Sequence, residues 1–162
     1  MKTQIWAHRG ASAYAPENTL EAFRLAAEMG ADGVELDVQL SRDGELVVAH
    51  DETIDRVSNG TGYIKDYTLA QLKELSFNRL FPAFKDARIP TLKEVYELLK
   101  PGGLTVNVEL KTGIILYPEI EEKVLALTAS MGMEDRVIYS SFCHPSLVRL
   151  KELNSGLKTG LL

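Results

Sequence analysis

Short apolar runs of strand length recur along this chain, and patterns of helical spacing follow several of them, which restricts the fold to alternating β and α units. The first strand is expected over residues 3–10, "TQIWAHRG". Residues 18–29, "NTLEAFRLAAEM", place Leu20, Phe23, Ala26 or Ala27 and Met29 on one helical stripe, with Asn18 at its start and Gly30 as C-cap. "DGVELDVQLS" (32–41) and "GELVVAHD" (44–51) read as the second and third strands, joined by a tight turn in which Gly44 is free to take positive φ. Residues 52–67 carry several polar-glycine turn signals and read as a surface excursion.

The second half repeats the alternation. Capping boxes at Thr68/Gln71 and Thr91/Glu94 predict two helices, separated by a loop over 76–90. "LTVNVELK" (104–111) is the fourth strand, 117–133 a helix, "RVIYSSF" (136–142) the fifth strand, and 145–154 a helix with Pro145 in its first turn. "KTGLL" (158–162) begins like a sixth strand. Polar residues collect at the strand C-terminal ends and no Gly-x-Gly-x-x-Gly fingerprint follows the first strand, which favours a barrel over a doubly wound sheet. A complete barrel of this kind takes roughly 250 residues. The expected fold is therefore α/β, of TIM (β/α)8-barrel type, truncated after about five and a half βα units. It forms one domain over residues 1–162, without linker or repeat.

The net charge is −5, from 18 Lys plus Arg against 23 Asp plus Glu, which argues against a general nucleic-acid surface. A local basic patch can still hold a phosphate. No apolar run reaches transmembrane length, and "MKTQIWAHRG" meets charge before any signal-peptide apolar region, so no membrane segment is expected and the cytoplasm is the default location. The single cysteine, Cys143, excludes an internal disulfide and a cysteine-only metal site.

Charge inside strands is the informative anomaly. Residues i and i+2 of a strand share a face, so Glu35 and Asp37 point together while Val34, Leu36 and Val38 take the other side. Two carboxylates on one face repel each other and lose hydration, costs that a bound cation or a neighbouring Arg or Lys offsets. Glu109 shares its face with Asn107 and Lys111 in the same way. Three hard oxygen ligands suit Mg2+ or Ca2+, and no His/Cys cluster has zinc spacing. His8 and His50 end strands and can move protons near neutrality. Arg9 and Lys111 can hold phosphate oxygens, and Asp51 can accept a proton from an imidazole or assist the metal. The plainer alternative for Arg9 and Glu35 is a buried ion pair. Asp43, Glu45 and the "EIEEK" run read as solvated faces, and His144 as a cap or surface residue.

The ordered set "AHRGASAYAPENTLEAF", "GVELDVQL", "VVAHD", "NGTG", "IPTL" and "VNVELK" resembles the glycerophosphodiester phosphodiesterase family over nearly the whole chain. The resemblance implies a TIM-barrel enzyme that hydrolyses small-molecule glycerophosphodiesters to sn-glycerol 3-phosphate and an alcohol. It puts the ligands of one divalent cation on Glu35, Asp37 and Glu109, the catalytic histidines on His8 and His50, and the substrate contacts on Arg9, Lys111, Asp51 and Phe142. In the implied mechanism one histidine takes the proton of a glycerol hydroxyl, which attacks phosphorus to give a cyclic phosphate, and the other protonates the leaving alcohol. The expectation adopted is His8 as base and His50 as acid, although nothing in the residues orders them. Residues 52–89 match the family's insertion. Relatives continue through three further strands, so the chain is expected to present open barrel edges through which it self-associates. Lysophospholipid or glycerophosphoinositol substrates are the alternative within the same chemistry. A metal- or phosphate-binding fragment that needs a partner chain is the non-enzymatic one.

Overall fold

The computed structural model describes residues 3–162; the reading of Met1 and Lys2 as the start of a leaderless chain lies outside them. The strand β2 (Gly33–Leu40) pairs with three others of the sheet. Its alternation behaves as expected: Val34, Leu36 and Val38 are fully buried in the hydrophobic core, and Glu35 and Asp37 face the other way. Around it lie β1 (Trp6–His8), β3 (Leu46–Val48), β4 (Thr105–Leu110), β5 (Val137–Ser141) and β6 (Thr159–Leu161). The sheet path runs β1-β2-β4-β5-β6, all parallel, with β1 and β6 outermost.

The helices α1 (Leu20–Glu28), α3 (Leu92–Leu99), α4 (Ile120–Ser130) and α5 (His144–Leu153) pack on one face of that sheet. Phe23 and Ala26 of α1, Val95, Tyr96 and Leu99 of α3, Val124 of α4 and Leu147 and Leu150 of α5 share one core with the apolar sides of β2, β4 and β5. Burying each large side chain there stabilises the fold by about 1.5–3 kcal/mol. Parallel strands laid down in sequence order, with helices on one face only, are the winding of a (β/α) barrel; a doubly wound sheet reverses order and divides its helices. The opposite, inward face carries Glu35, Asp37, Asn107, Glu109 and Ser140, so the polar residues that strands should not contain converge on the barrel interior.

One expected strand takes a different role. Residues 44–51 do not join the parallel series: β3 folds back on β2 as an antiparallel partner, pairing Val38 with Val48 and Leu40 with Leu46. The physical reason is connection length, since a parallel crossover takes a dozen or more residues and only the turn 41–45 is available. Gly44, at φ 79°, and its N–H bond to the Ser41 carbonyl close that turn. The parallel strands described therefore number five, and β3 is a hairpin arm that leads directly to His50.

The excursion after it is more ordered than turn signals suggest. A bridge between Thr53 and Tyr63, a 3-10 turn at Ile64–Asp66 and the short helix α2 (Leu69–Glu74) enclose a second core of Ile54, Ile64, Leu72, Phe77 and Ile89 beneath Val47 and Ala49. Both capping boxes form, Thr68 with Gln71 and Thr91 with Glu94. Helix α1 starts later than expected. Thr19 is its N-cap, Asn18 has left-handed φ of 56°, and Met29 is exposed while Ala22 completes the buried stripe. Helix α4 likewise begins at Ile120, after Glu119 in the left-handed region. His144 is exposed at the first turn of α5, as expected.

Candidate active site

The site is built at the C-terminal ends of β1 and β4, in the middle of β2 and at the end of the β3 arm. His8 is the last residue of β1 and pairs in register with Glu35. The chain then turns sharply: Arg9 takes φ 57° and its backbone N–H donates to both the carbonyl (3.0 Å) and Oε2 (3.1 Å) of Glu35. Gly10, at φ 77°, completes the turn against helix α1, where a Cβ would lie 2.7 Å from the backbone carbon of Ala22. His8 is exposed, and its Nε2 lies 3.7 Å from Glu35 Oε2.

Asp37 and Glu109 are register partners on β2 and β4. With Glu35 they form the one cluster of this kind among the described residues, one oxygen from each lying within 4.8 Å of the others. Asp37 is fully buried and Glu109 nearly so. Cations close the flanks. Lys111 Nζ lies 2.9 Å from Glu109 Oε1 and 3.7 Å from Asp37 Oδ1, and Arg9 Nε lies 3.6 Å from Asp37 Oδ2. Asn18 donates its amide to Asp37 Oδ2 at 2.8 Å. These partners do not satisfy the cluster. Burial, then the Asp37 charge beside it, pushes the Glu35 carboxyl up to about 8. Glu35 Oε1, Asp37 Oδ1 and Asn18 Oδ1 are buried acceptors without a hydrogen bond. Orphaned oxygens in a nest of three carboxylates match the donor set of a hard divalent cation, so the residues fit the group expected of them.

His50 belongs to a network that reaches this cluster through Glu17 and Arg9. Its Nδ1 lies 2.7 Å from Asp51 Oδ1, while Asp51 Oδ2 accepts from Arg56 Nε at 2.7 Å. Arg56 places Nη1 and Nη2 each 2.8 Å from the two oxygens of Glu17, and Glu17 Oε1 also accepts from Arg9 Nη1 at 3.0 Å. The backbone around His50 is held from below. The Gln39 amide nitrogen lies 2.9, 3.2 and 2.8 Å from the carbonyl oxygens of Ala49, His50 and Asp51, and the Tyr117 hydroxyl donates to Gln39 Oε1. Phe142, at the end of β5, is 68% exposed and lines a pocket of about 210 Å³ with Ile114, Glu52, Glu109 and Lys111.

The structure thus brings Glu35, Asp37, Glu109, Arg9, Lys111 and His8 together. It puts Asp51 with His50 and Arg56, outside the carboxylate cluster, and Phe142 at the rim beside Lys111. Sequence reading missed Glu17, Asn18, Gln39 and Arg56. Gln39 carries a readable signal, for it continues the i, i+2, i+4 face of Glu35 and Asp37. Arg56 lies in a loop and carries none.

Five parallel strands wound as in a (β/α) barrel bring three carboxylates, flanking cations and His8 to one side of the sheet, and the β3 arm leads to His50: a candidate site for an anionic ligand. The Glycerophosphoryl diester phosphodiesterase family matches residues 8–162, and the chain belongs to that family. It is 53% identical to the glycerophosphodiester phosphodiesterase of Caldanaerobacter subterraneus subsp. tengcongensis, over 100% of this chain and 67% of that protein. It is 44% identical to the enzyme of that name from Bacillus altitudinis, over 99% of this chain and 66% of that one. Among solved structures, the glycerophosphodiester phosphodiesterase of Agrobacterium tumefaciens superposes with a TM-score of 0.89 at 38% identity, covering 98% of this chain and 66% of its own. An Oleispira antarctica phosphodiesterase, solved with the product sn-glycerol-3-phosphate, superposes with a TM-score of 0.85 at 34% identity, with 98% and 65% covered. The chain therefore spans about two thirds of the length of the relatives it matches. Among the described residues no helix is long and apolar enough to cross a membrane.

Proposed function

We propose that this protein hydrolyses glycerophosphodiesters to sn-glycerol 3-phosphate and an alcohol, dependent on one divalent cation, Mg2+ or Ca2+. The observation that carries the reading is the cluster of Glu35, Asp37 and Glu109, with unpaired buried oxygens, between the cations of Arg9 and Lys111. A relative that holds sn-glycerol-3-phosphate as its product supports the substrate class. Glu35, Asp37 and Glu109 would hold the divalent cation, which would supply charge neutralisation at the phosphate and lower the pKa of a nearby hydroxyl.

The chain's own residues do the rest. Arg9 and Lys111 draw the non-bridging phosphate oxygens to the strand ends and offset the charge that develops on them. His8 takes the proton of the neighbouring glycerol hydroxyl, whose oxygen bonds to phosphorus as the bond to the alcohol breaks. His50 delivers a proton to that departing oxygen. Water then opens the resulting cyclic phosphate, with the two imidazoles exchanging roles. Phe142 and Ile114 wall the pocket beside Lys111 and cover the apolar edges of the substrate.

The test is release of sn-glycerol 3-phosphate from glycerophosphocholine by the wild type and by His8→Ala and His50→Ala. Each variant is expected to lose at least about 100-fold in kcat, the ordinary yield of a positioned acid or base. A variant of either histidine that kept the full rate would sink its assignment.

A further inference from the structure

Glu17 and Arg56 form a three-point junction that ordinary surface charge does not need. Three of the five guanidinium N–H groups of Arg56 are committed at 2.7–2.8 Å, two to Glu17 and one to Asp51. Such a fork fixes both partners in a plane, which a single ammonium cannot do. Glu17 is mostly buried, with its side chain 14% exposed. Burial alone would raise its carboxyl, but Arg56 and Arg9 outweigh that and hold it below the usual range. It therefore stays an anion between two arginines.

The junction joins parts of the chain that are distant in sequence. Glu17 lies in the loop after β1, and Arg56 lies 39 residues on, in the segment after β3. At one end of the junction is Arg9, expected at the phosphate; at the other is the Asp51–His50 pair. Adjacent to Glu17, Asn18 donates to Asp37, so one dipeptide contacts the carboxylate cluster and, through Arg56 and Asp51, connects to the imidazole.

The tautomer of His50 follows from this. Burial would raise the Asp51 carboxyl, but the hydrogen bonds from Arg56 and His50 prevail and hold it below the usual range. An ionised carboxylate only accepts, so His50 Nδ1 must be the donor, and in the neutral ring Nε2 is the free nitrogen. Rotation of Asp51 about its side-chain torsions would release that constraint. Its other oxygen is pinned by Arg56.

We propose that Glu17 and Arg56 are positioning residues: they lock Asp51, and through it hold His50 in the Nδ1-protonated tautomer, which leaves Nε2 as the ring nitrogen available for proton transfer. The kinetic part of this inference rests on His50 being an acid/base residue; the tautomer part does not.

The test compares wild type with Arg56→Gln and Arg56→Lys by 15N NMR of the His50 ring, with Mg2+ affinity and glycerophosphocholine kinetics measured on the same proteins. The wild type is expected to show the Nδ1-protonated form. Both variants are expected to show averaged tautomers, retained Mg2+ affinity, and kcat lowered by about 10- to 100-fold, the usual cost of losing an orienting partner, with KM little changed. Arg56→Lys keeps the charge and so separates the fork from simple electrostatics. An unchanged His50 ring signal in either folded variant overturns the inference, whatever the rate. If the wild type does not hydrolyse the diester while the tautomer still responds to Arg56, the assigned reaction fails and the junction stands.

Discussion

The side-chain amide of Asn18 donates to Asp37 Oδ2 across 2.8 Å, so a loop residue in the left-handed region orients a carboxylate buried in the middle of β2. Asparagine suits both halves of that task, since it tolerates positive φ and carries a donor. Asn18→Gly keeps the backbone and removes the amide. It is expected to weaken Mg2+ or Ca2+ binding by about 10-fold or more, as loss of a partner that orients a ligand does, with the fold retained. Titration calorimetry with each metal, alongside circular dichroism, checks this. Unchanged affinity would mean that Asp37 needs no brace.

Cation binding should expel a proton. With the Glu35 carboxyl raised to about 8, the metal-free site is mostly protonated there at neutral pH, and the ligand form is the carboxylate. Affinity is therefore expected to rise with pH until that value is passed and then to level off. Calorimetry in buffers of differing ionisation enthalpy should register release of about one proton near neutrality and little well above pH 8. No release near neutrality would show that Glu35 is already ionised there.

Lys111 lies against Glu109 and Asp37, the carboxylates proposed to hold the metal, and is itself proposed to contact the phosphate. Its removal should separate the two roles. Lys111→Met is expected to leave cation affinity unchanged or stronger while kcat/KM for glycerophosphocholine falls about 100-fold or more, the scale of one lost charge-stabilising donor. A fall in metal affinity would instead make Lys111 part of the cluster's scaffold.

The turn after β1 has no space to spare. Gly10→Ala forces a Cβ to within 2.7 Å of the Ala22 backbone at a positive φ. A loss of at least about 1–3 kcal/mol is expected, read from the urea midpoint. A neutral result would mean that the α1 end of the turn shifts freely.

Much of this site can be read from β2 alone. The alternation of Val34, Leu36 and Val38 against Glu35 and Asp37 declares a strand with one apolar and one charged face, and the apolar face is buried as that pattern requires. Gln39 extends the same face, but its bonds to the carbonyls of residues 49–51 appear only when the β3 arm folds back on β2. The direction of β3 was not, because an apolar run looks the same whether it pairs parallel or antiparallel; only the five-residue turn before it decides. Asn18 reads as a helix start because its type favours caps, but its side chain is spent on Asp37 and Thr19 takes the cap. Arg56 defeats local reading altogether. Its partners lie 39 residues back and five residues away, and only the folded path of the 52–89 segment brings them together.

The carboxylate trio is proposed to act through a divalent cation in diester hydrolysis. This role is tested most directly by following sn-glycerol 3-phosphate release from glycerophosphocholine before chelation, after complete removal of metal with EDTA, and after Mg2+ or Ca2+ is restored. Hydrolysis should stop on chelation, return with one of the two ions, and fail to return in Asp37→Asn. Hydrolysis that continues undiminished in the metal-free protein would contradict the account.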